Sequence, residues 1–299
     1  MKQGKRNAPG YFSFHNATIL VRFSVILLLF PSLVVNAQNQ YLHRSFESLQ
    51  EVNSPASTKT AHYKLMFGEK DPMVKSVSQY AFLVIDPQGK SKPVSFGREE
   101  LICYVLKGTG MLHYQNKDIP ISKDDFFYVP VNTRHSFSNP RSDTLTVVVM
   151  GFKIPDTVDI KPTPGLQLAN ANDVKFQELS GHGETSRFRL LIGETTSKRD
   201  KIAAAYQVTS MFVIDFDPTG TNNPHHHEKE EEIYFVLRGE GDMVAGVNAE
   251  GEKMRHPAKA GDGYFFSRDT YVGFYSDTKP GEEHSRILAV RFKTPTPKK

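Results

Sequence analysis

A chain of 299 residues, 38% of them hydrophobic, is long enough to bury two cores. Four of its 37 Lys+Arg (Lys2, Lys5, Arg6 and Arg22) precede residue 38, where no acid occurs, which leaves 33 basic against 33 acidic residues beyond it. That balance offers no cationic face for nucleic acid or an anionic membrane, and a single cysteine, Cys103, excludes an intrachain disulfide.

The chain opens on those basic residues, then an apolar run from Phe23 to Val35, then Val35-Asn36-Ala37. Basic flank, short apolar stretch and small-residue site are the order of a secretory signal. Residues 1–37 are therefore expected to be a signal peptide, and the mature protein to be exported, periplasmic or extracellular. The alternative is an uncleaved N-terminal anchor. The run carries Ser24, Pro31 and Ser32 and is short for a membrane span, so no stable insertion is expected. No cysteine adjoins Ala37, which argues against a lipid anchor.

Beyond residue 37 the sequence repeats itself. Asp86-Pro87-Gln88-Gly89 returns 131 residues later as Asp217-Pro218-Thr219-Gly220. Glu99-Glu100-Leu101-Ile102-Cys103-Tyr104-Val105-Leu106-Lys107-Gly108 returns at the same offset as Glu230-Glu231-Glu232-Ile233-Tyr234-Phe235-Val236-Leu237-Arg238-Gly239. Such self-similarity marks a tandem duplication. Within each copy, short apolar runs rich in Val, Ile, Phe and Tyr are punctuated by Asp-Pro, Gly-Asp and Asn-Pro turns, which predicts antiparallel strands. Only residues 42–50 and 199–206 are modest helix candidates. Gly108-x-Gly110 and Gly239-x-Gly241 follow strands and open no helix, so they read as hairpin turns. The fold class is all-β, with domains over 41–158 and 170–296 joined by the proline-bearing stretch 155–164.

The most chemically loaded segment is His225-His226-His227-Glu228-Lys229-Glu230-Glu231-Glu232. On a strand, residues two apart share a face, so His225 and His227 point the same way. Glu232 follows at odd spacing, so Glu228-Lys229-Glu230 must bend the chain to reset the parity. Glu232, Tyr234 and Val236 then line one face, while Ile233, Phe235 and Leu237 pack on the other. Imidazole and carboxylate together suit a divalent transition metal. The bland alternative is a solvated polar turn, which remains the reading for Glu228 and Glu230.

With Gly220 before it and Gly239 after it, this segment resembles the first motif of the cupin superfamily: glycine, His-x-His, a short gap, Glu, six residues, glycine. Glu231 fits the shorter form of the gap but misses the glycine spacing. The second motif resembles Gly261 to Phe274, with Ser267 where proline is usual and Val272 where the last histidine ligand stands. The resemblance implies two tandem cupin barrels (double-stranded β-helix, jelly-roll), covering most of residues 60–295. It also implies metal ligands His225, His227 and Glu232, and one divalent ion per chain, with Fe, Mn, Ni, Zn and Cu not distinguished. Tyr271, Tyr275, His256 and His284 are open as a substitute fourth ligand. In the first copy the ligand positions become Val94, Phe96 and Leu101, so that barrel is expected to be degenerate, and His135 a hydrogen-bonded remnant.

These readings lead to an exported metal-dependent enzyme of oxidoreductase, lyase or isomerase type. It would act on a small organic molecule, with Glu232 and Tyr234 as catalytic candidates. The competing class is a non-catalytic cupin module binding a carbohydrate or other small extracellular ligand. Assembly into a homo-oligomer is left open.

Overall fold

The computed structural model describes Met1 and residues 41–161, 165–179 and 181–294. The export segment read at residues 1–37 therefore lies outside the described residues, Met1 apart. Strand β1 (Tyr41–Ser45) precedes the first copy, which comprises β2 (Ala61–Gly68), β3 (Val77–Ile85), β4 (Glu99–Lys107), β5 (Thr109–Tyr114), β6 (Lys117–Ser122), β7 (Asp125–Val129), β8 (His135–Ser138) and β9 (Leu145–Lys153). Strand β10 (Gln167–Asn170) precedes the second, which opens with β11 (Ser186–Glu194), β12 (Ile202–Ala205), β13 (Val208–Phe216), β14 (Thr221–His225) and β15 (Glu230–Arg238). It continues through β16 (Glu240–Val247), β17 (Lys253–Lys259), β18 (Asp262–Phe266), β19 (Val272–Ser276) and β20 (Arg286–Lys293).

Each copy folds as two sheets. In the first, β10-β7-β4-β9-β3-β2 faces β6-β5-β8; in the second, β1-β18-β15-β20-β13-β11-β12 faces β14-β19-β16-β17. Two sheets joined by strands that switch between them make the jelly-roll expected from the sequence. The duplication holds in register: Glu99 pairs with Lys153 in the first copy, and Glu230 with Lys293 in the second.

The large sheets are buried on both faces, which is why their strands read as near-continuous apolar runs. One face fills the barrel, as Leu101, Cys103, Val147 and Val149 do in the first copy. In the second, Tyr234, Val236, Ile287 and Ala289 fill the barrel. The other face joins a core shared between the barrels, where Phe67, Phe82, Phe235, Phe265 and Phe292 meet. Each such phenylalanine contributes on the order of 2 kcal/mol. Alternation along β15 matches the sequence expectation, with Ile233 and Phe235 in the shared core and Tyr234 and Val236 inside the barrel.

The strand order crosses the division drawn from the sequence at 41–158 and 170–296. Strand β1 precedes the first copy but pairs with β18 of the second, Tyr41 opposite Phe266. Strand β10 precedes the second copy but pairs with β7 of the first, Gln167 opposite Tyr128. The exchange is reciprocal, and both barrels lie in one compact unit, Asn36–Lys299. Fully buried Glu100 on β4 ties them further. Its carboxylate accepts the backbone N–H groups of Tyr206 (2.7 Å), Gln207 (2.8 Å) and Val208 (3.1 Å) from the other copy.

Three local expectations are corrected. Residues 42–50 form strand β1 and a single 3-10 turn, Phe46–Ser48, because pairing with β18 outweighs the weak helical pattern. Residues 199–206 hold strand β12, which buries Ile202 and Ala204 and runs parallel to β11. Gly108 and Gly239 do not close hairpins: each turns the chain from the large sheet of its copy to the small one. Both have positive φ, and a Cβ on Gly239 would strike Ser285 Oγ at 2.4 Å.

Candidate metal centre

Strand β14 ends at His225, and a bend at Glu228 and Lys229 separates it from β15, where the parity argument required one. A bulge between Asn222 and His225 keeps both facing the barrel interior. Across this break His225, His227 and Glu232 converge, with one ligand atom from each within 4.8 Å of the others. Among the described residues this is the one such group of metal-type side chains. Glu231, the alternative, points away from the group: its neighbour Glu232 faces the barrel with the histidines, and burial pushes the Glu231 carboxyl up to about 7.

The donor atoms are prepared for a cation. His225 Nδ1 donates to the Asn223 carbonyl at 2.8 Å, which leaves Nε2 as the bare lone pair. Burial lowers the His225 pKa to about 4, so the ring is neutral near pH 7. Glu232 is only 2% exposed. Burial by itself would raise its pKa, but His227, Arg291 and His225 together outweigh burial and hold the carboxyl below its usual value. His227 Nε2 lies 3.4 Å from Glu232 Oε2, an ion-pair separation without a directed hydrogen bond. His225 Nε2, His227 Nε2 and Glu232 Oε2 are all buried without a hydrogen-bond partner. Three orphaned donors aimed at one another are costly unless something fills the space between them. A divalent cation fits that set.

Several residues at this site carried no signal in the sequence. Arg291 on β20 is in register with Glu232, and its Nε is also buried without a hydrogen-bond partner. Glu230, read as a solvated acid, stands 3.9 Å from His227 Nδ1 and 3.8 Å from Arg291 Nε, on the rim of the site. His182 lies in the loop before β11. Its Nδ1 donates to Asn222 Oδ1 at 2.8 Å, and Asn222 Nδ2 donates to the Tyr234 hydroxyl at 2.9 Å. No motif spacing links residues 182, 222 and 291, because only the closure of the barrel brings them together.

Tyr234 is buried with its hydroxyl committed to Asn222, so it reaches the trio through Asn222 and His182. Val272 is buried and registers with His225. None of the four suggested substitutes joins the trio. Tyr271 packs on His226, Tyr275 lies under Arg255, His256 Nε2 contacts the Tyr41 hydroxyl at 3.2 Å, and the His284 carbonyl accepts from Arg238. In the first barrel, Val94 exchanges backbone hydrogen bonds with His135, and His135 Nδ1 donates to the Thr133 carbonyl. A small cavity of about 20 Å³ there is lined largely by apolar groups, among them Val94, Phe96 and Val149.

The comparisons agree with this architecture. Residues 81–151 and 212–289, one stretch in each barrel, match the cupin domain family. The chain is a member of the cupin superfamily, with two barrels in tandem. Similar solved structures include protein Ylba from E. coli (14% identity, TM-score 0.64), covering 87% of this chain and 93% of that one. Oxalate decarboxylase from Lactobacillus farciminis, solved as a formate complex, is 13% identical with a TM-score of 0.61, covering 85% and 86%. AerE from Microcystis aeruginosa is 13% identical with a TM-score of 0.60, covering 82% and 97%. At these identities the likeness speaks to the fold alone. No curated protein matches the chain in sequence.

Proposed function

We propose that this protein is an exported, metal-dependent bicupin enzyme whose second barrel binds one divalent cation and acts on a small carboxylate. The observation that carries the reading is that His225, His227 and Glu232 bring ligand atoms within 4.8 Å of one another, while His225 Nε2, His227 Nε2 and Glu232 Oε2 are buried without hydrogen-bond partners. A cation held there supplies Lewis acidity toward an oxygen-bearing substrate. Arg291 holds a guanidinium beside Glu232, its Nε 3.8 Å from Glu230 and without a hydrogen-bond partner, a charge suited to a carboxylate group. Glu232 stays ionised and serves as ligand. Tyr234 and Asn222 position their neighbour His182.

The export half of the proposal rests on the order of residues 1–37. Among the described residues no helix is long and apolar enough to cross a membrane. N-terminal sequencing of secreted protein should begin at Gln38 or within a few residues; recovery of the intact N-terminus from cytoplasm would overturn export.

Metal analysis of the purified full chain tests the central reading. About one equivalent of a divalent transition metal is expected, lost in the His225→Ala, His227→Ala double variant while the far-ultraviolet β signal persists. A folded chain that takes up no added Mn(II), Fe(II), Co(II), Ni(II), Cu(II) or Zn(II) would favour a non-catalytic binding module.

A further inference from the structure

We infer that Glu230, an acid on the rim of the site, is the positioning residue of His227: its carboxylate takes the Nδ1 proton and thereby commits the Nε2 lone pair to the cation. The inference rests on the reading that His225, His227 and Glu232 hold a cation.

The two nitrogens of His227 face two different acids. Nε2 lies 3.4 Å from Glu232 Oε2, and Nδ1 lies 3.9 Å from Glu230 Oε2. A neutral imidazole carries one proton, so a ring that gives its Nε2 lone pair to a cation carries that proton on Nδ1. On the Nδ1 side the structure places Glu230. Glu230 and Glu232 are two apart on β15 and share a face, one acid at each nitrogen of the ring. His225 is prepared in the same sense, with Nδ1 donating to the Asn223 carbonyl and Nε2 left bare. For His227 the acceptor is a side chain.

The 3.9 Å separation is an ion-pair distance, and closing it to a hydrogen bond takes a shift of about 1 Å. Glu230 has the freedom to make that shift. Its side chain is 26% exposed, and it is the first residue of β15, directly after the bend at Glu228 and Lys229. Arg291 Nε stands 3.8 Å from the same Oε2 and keeps the carboxylate beside the ring.

The first barrel supplies the contrast. The counterpart of Glu230 there is Glu99, 131 residues earlier, and Phe96 stands in place of His227. Gly151 lies opposite Leu101 as Arg291 lies opposite Glu232, so the guanidinium is absent too. Glu99 turns over Gly151, where a Cβ would strike its Oε1, and accepts from Ser78 Oγ at 2.6 Å and Gln79 Nε2 at 2.5 Å. The same acid is bound by hydroxyl and amide donors in the barrel without the imidazole. It is left beside a histidine in the barrel that keeps the ligands.

The test uses the purified full chain loaded with one equivalent of Cu(II), and pulsed EPR to read the uncoordinated nitrogen of each bound imidazole. Those frequencies report the hydrogen bond that the nitrogen makes. In Glu230→Leu one of the two imidazoles should shift, and Cu(II) affinity should fall roughly tenfold to a hundredfold. Glu230→Gln loses the charge but keeps an oxygen acceptor, so it should restore the wild-type frequencies and most of the affinity. Frequencies unchanged in Glu230→Leu, whatever its affinity, would make Glu230 only a nearby charge; they overturn this inference and leave the three-residue centre standing. A wild type that binds no Cu(II) overturns both.

Discussion

His225 and Val272 are register partners on antiparallel strands, so their side chains leave the sheet on the same face. One is a buried donor without a partner and the other is a hydrocarbon. A Val272→His substitution therefore places a new imidazole beside the existing three donors. Metal affinity should rise by roughly tenfold to a hundredfold, on the order of 1–3 kcal/mol by analogy with pairing a buried polar group. Competition titration against a chelator measures it, and equal affinities would remove Val272 from the ligand sphere.

Arg291 makes an opposite pair of demands. Its positive charge opposes a cation at Glu232 and attracts an anionic substrate. Arg291→Met should tighten binding of a divalent metal severalfold and weaken binding of formate or oxalate to the loaded protein at least tenfold. Isothermal titration with each probe reads both arms. Loss of metal affinity with unchanged anion binding would show that Arg291 is structural.

Glu100 should matter to stability and not to metal. Its two oxygens accept three backbone N–H groups from the segment Tyr206 to Val208. Glu100→Gln must turn an amide N–H₂ toward one of those donors, at a cost of about 1–3 kcal/mol for the group left unsatisfied. Urea unfolding should show the loss, with metal stoichiometry unchanged.

The metal-free protein should weaken on acidification through His225. Its pKa in the fold is about 4, below the ordinary value of 6.5. A depressed pKa means that the unfolded chain takes up the proton first. The contribution is present in full above pH 6.5 and is lost as pH falls toward 4. The wild type should lose on the order of 2 kcal/mol relative to His225→Ala across that window, an upper figure because the ring is part-exposed. Parallel pH profiles for both proteins would contradict the assignment.

Much of this molecule was legible in the chain itself because its signals are local or periodic. Alternation along Glu232 to Leu237 fixed which side chains enter the barrel, since a strand can present each residue to one face only. The duplication fixed the two-barrel plan, and the odd spacing between His227 and Glu232 demanded the bend found at Glu228 and Lys229. The strand exchange was not legible. Nothing in Tyr41–Ser45 marks β18, some 220 residues away, as its partner, because backbone pairing is nearly indifferent to side-chain identity. Nor could the sequence nominate Arg291 or His182. Arg291 lies on the last strand and His182 in a loop, and each meets the trio only once the sheets have closed. Spacing along a strand determines which way a residue faces; tertiary closure alone determines what it faces.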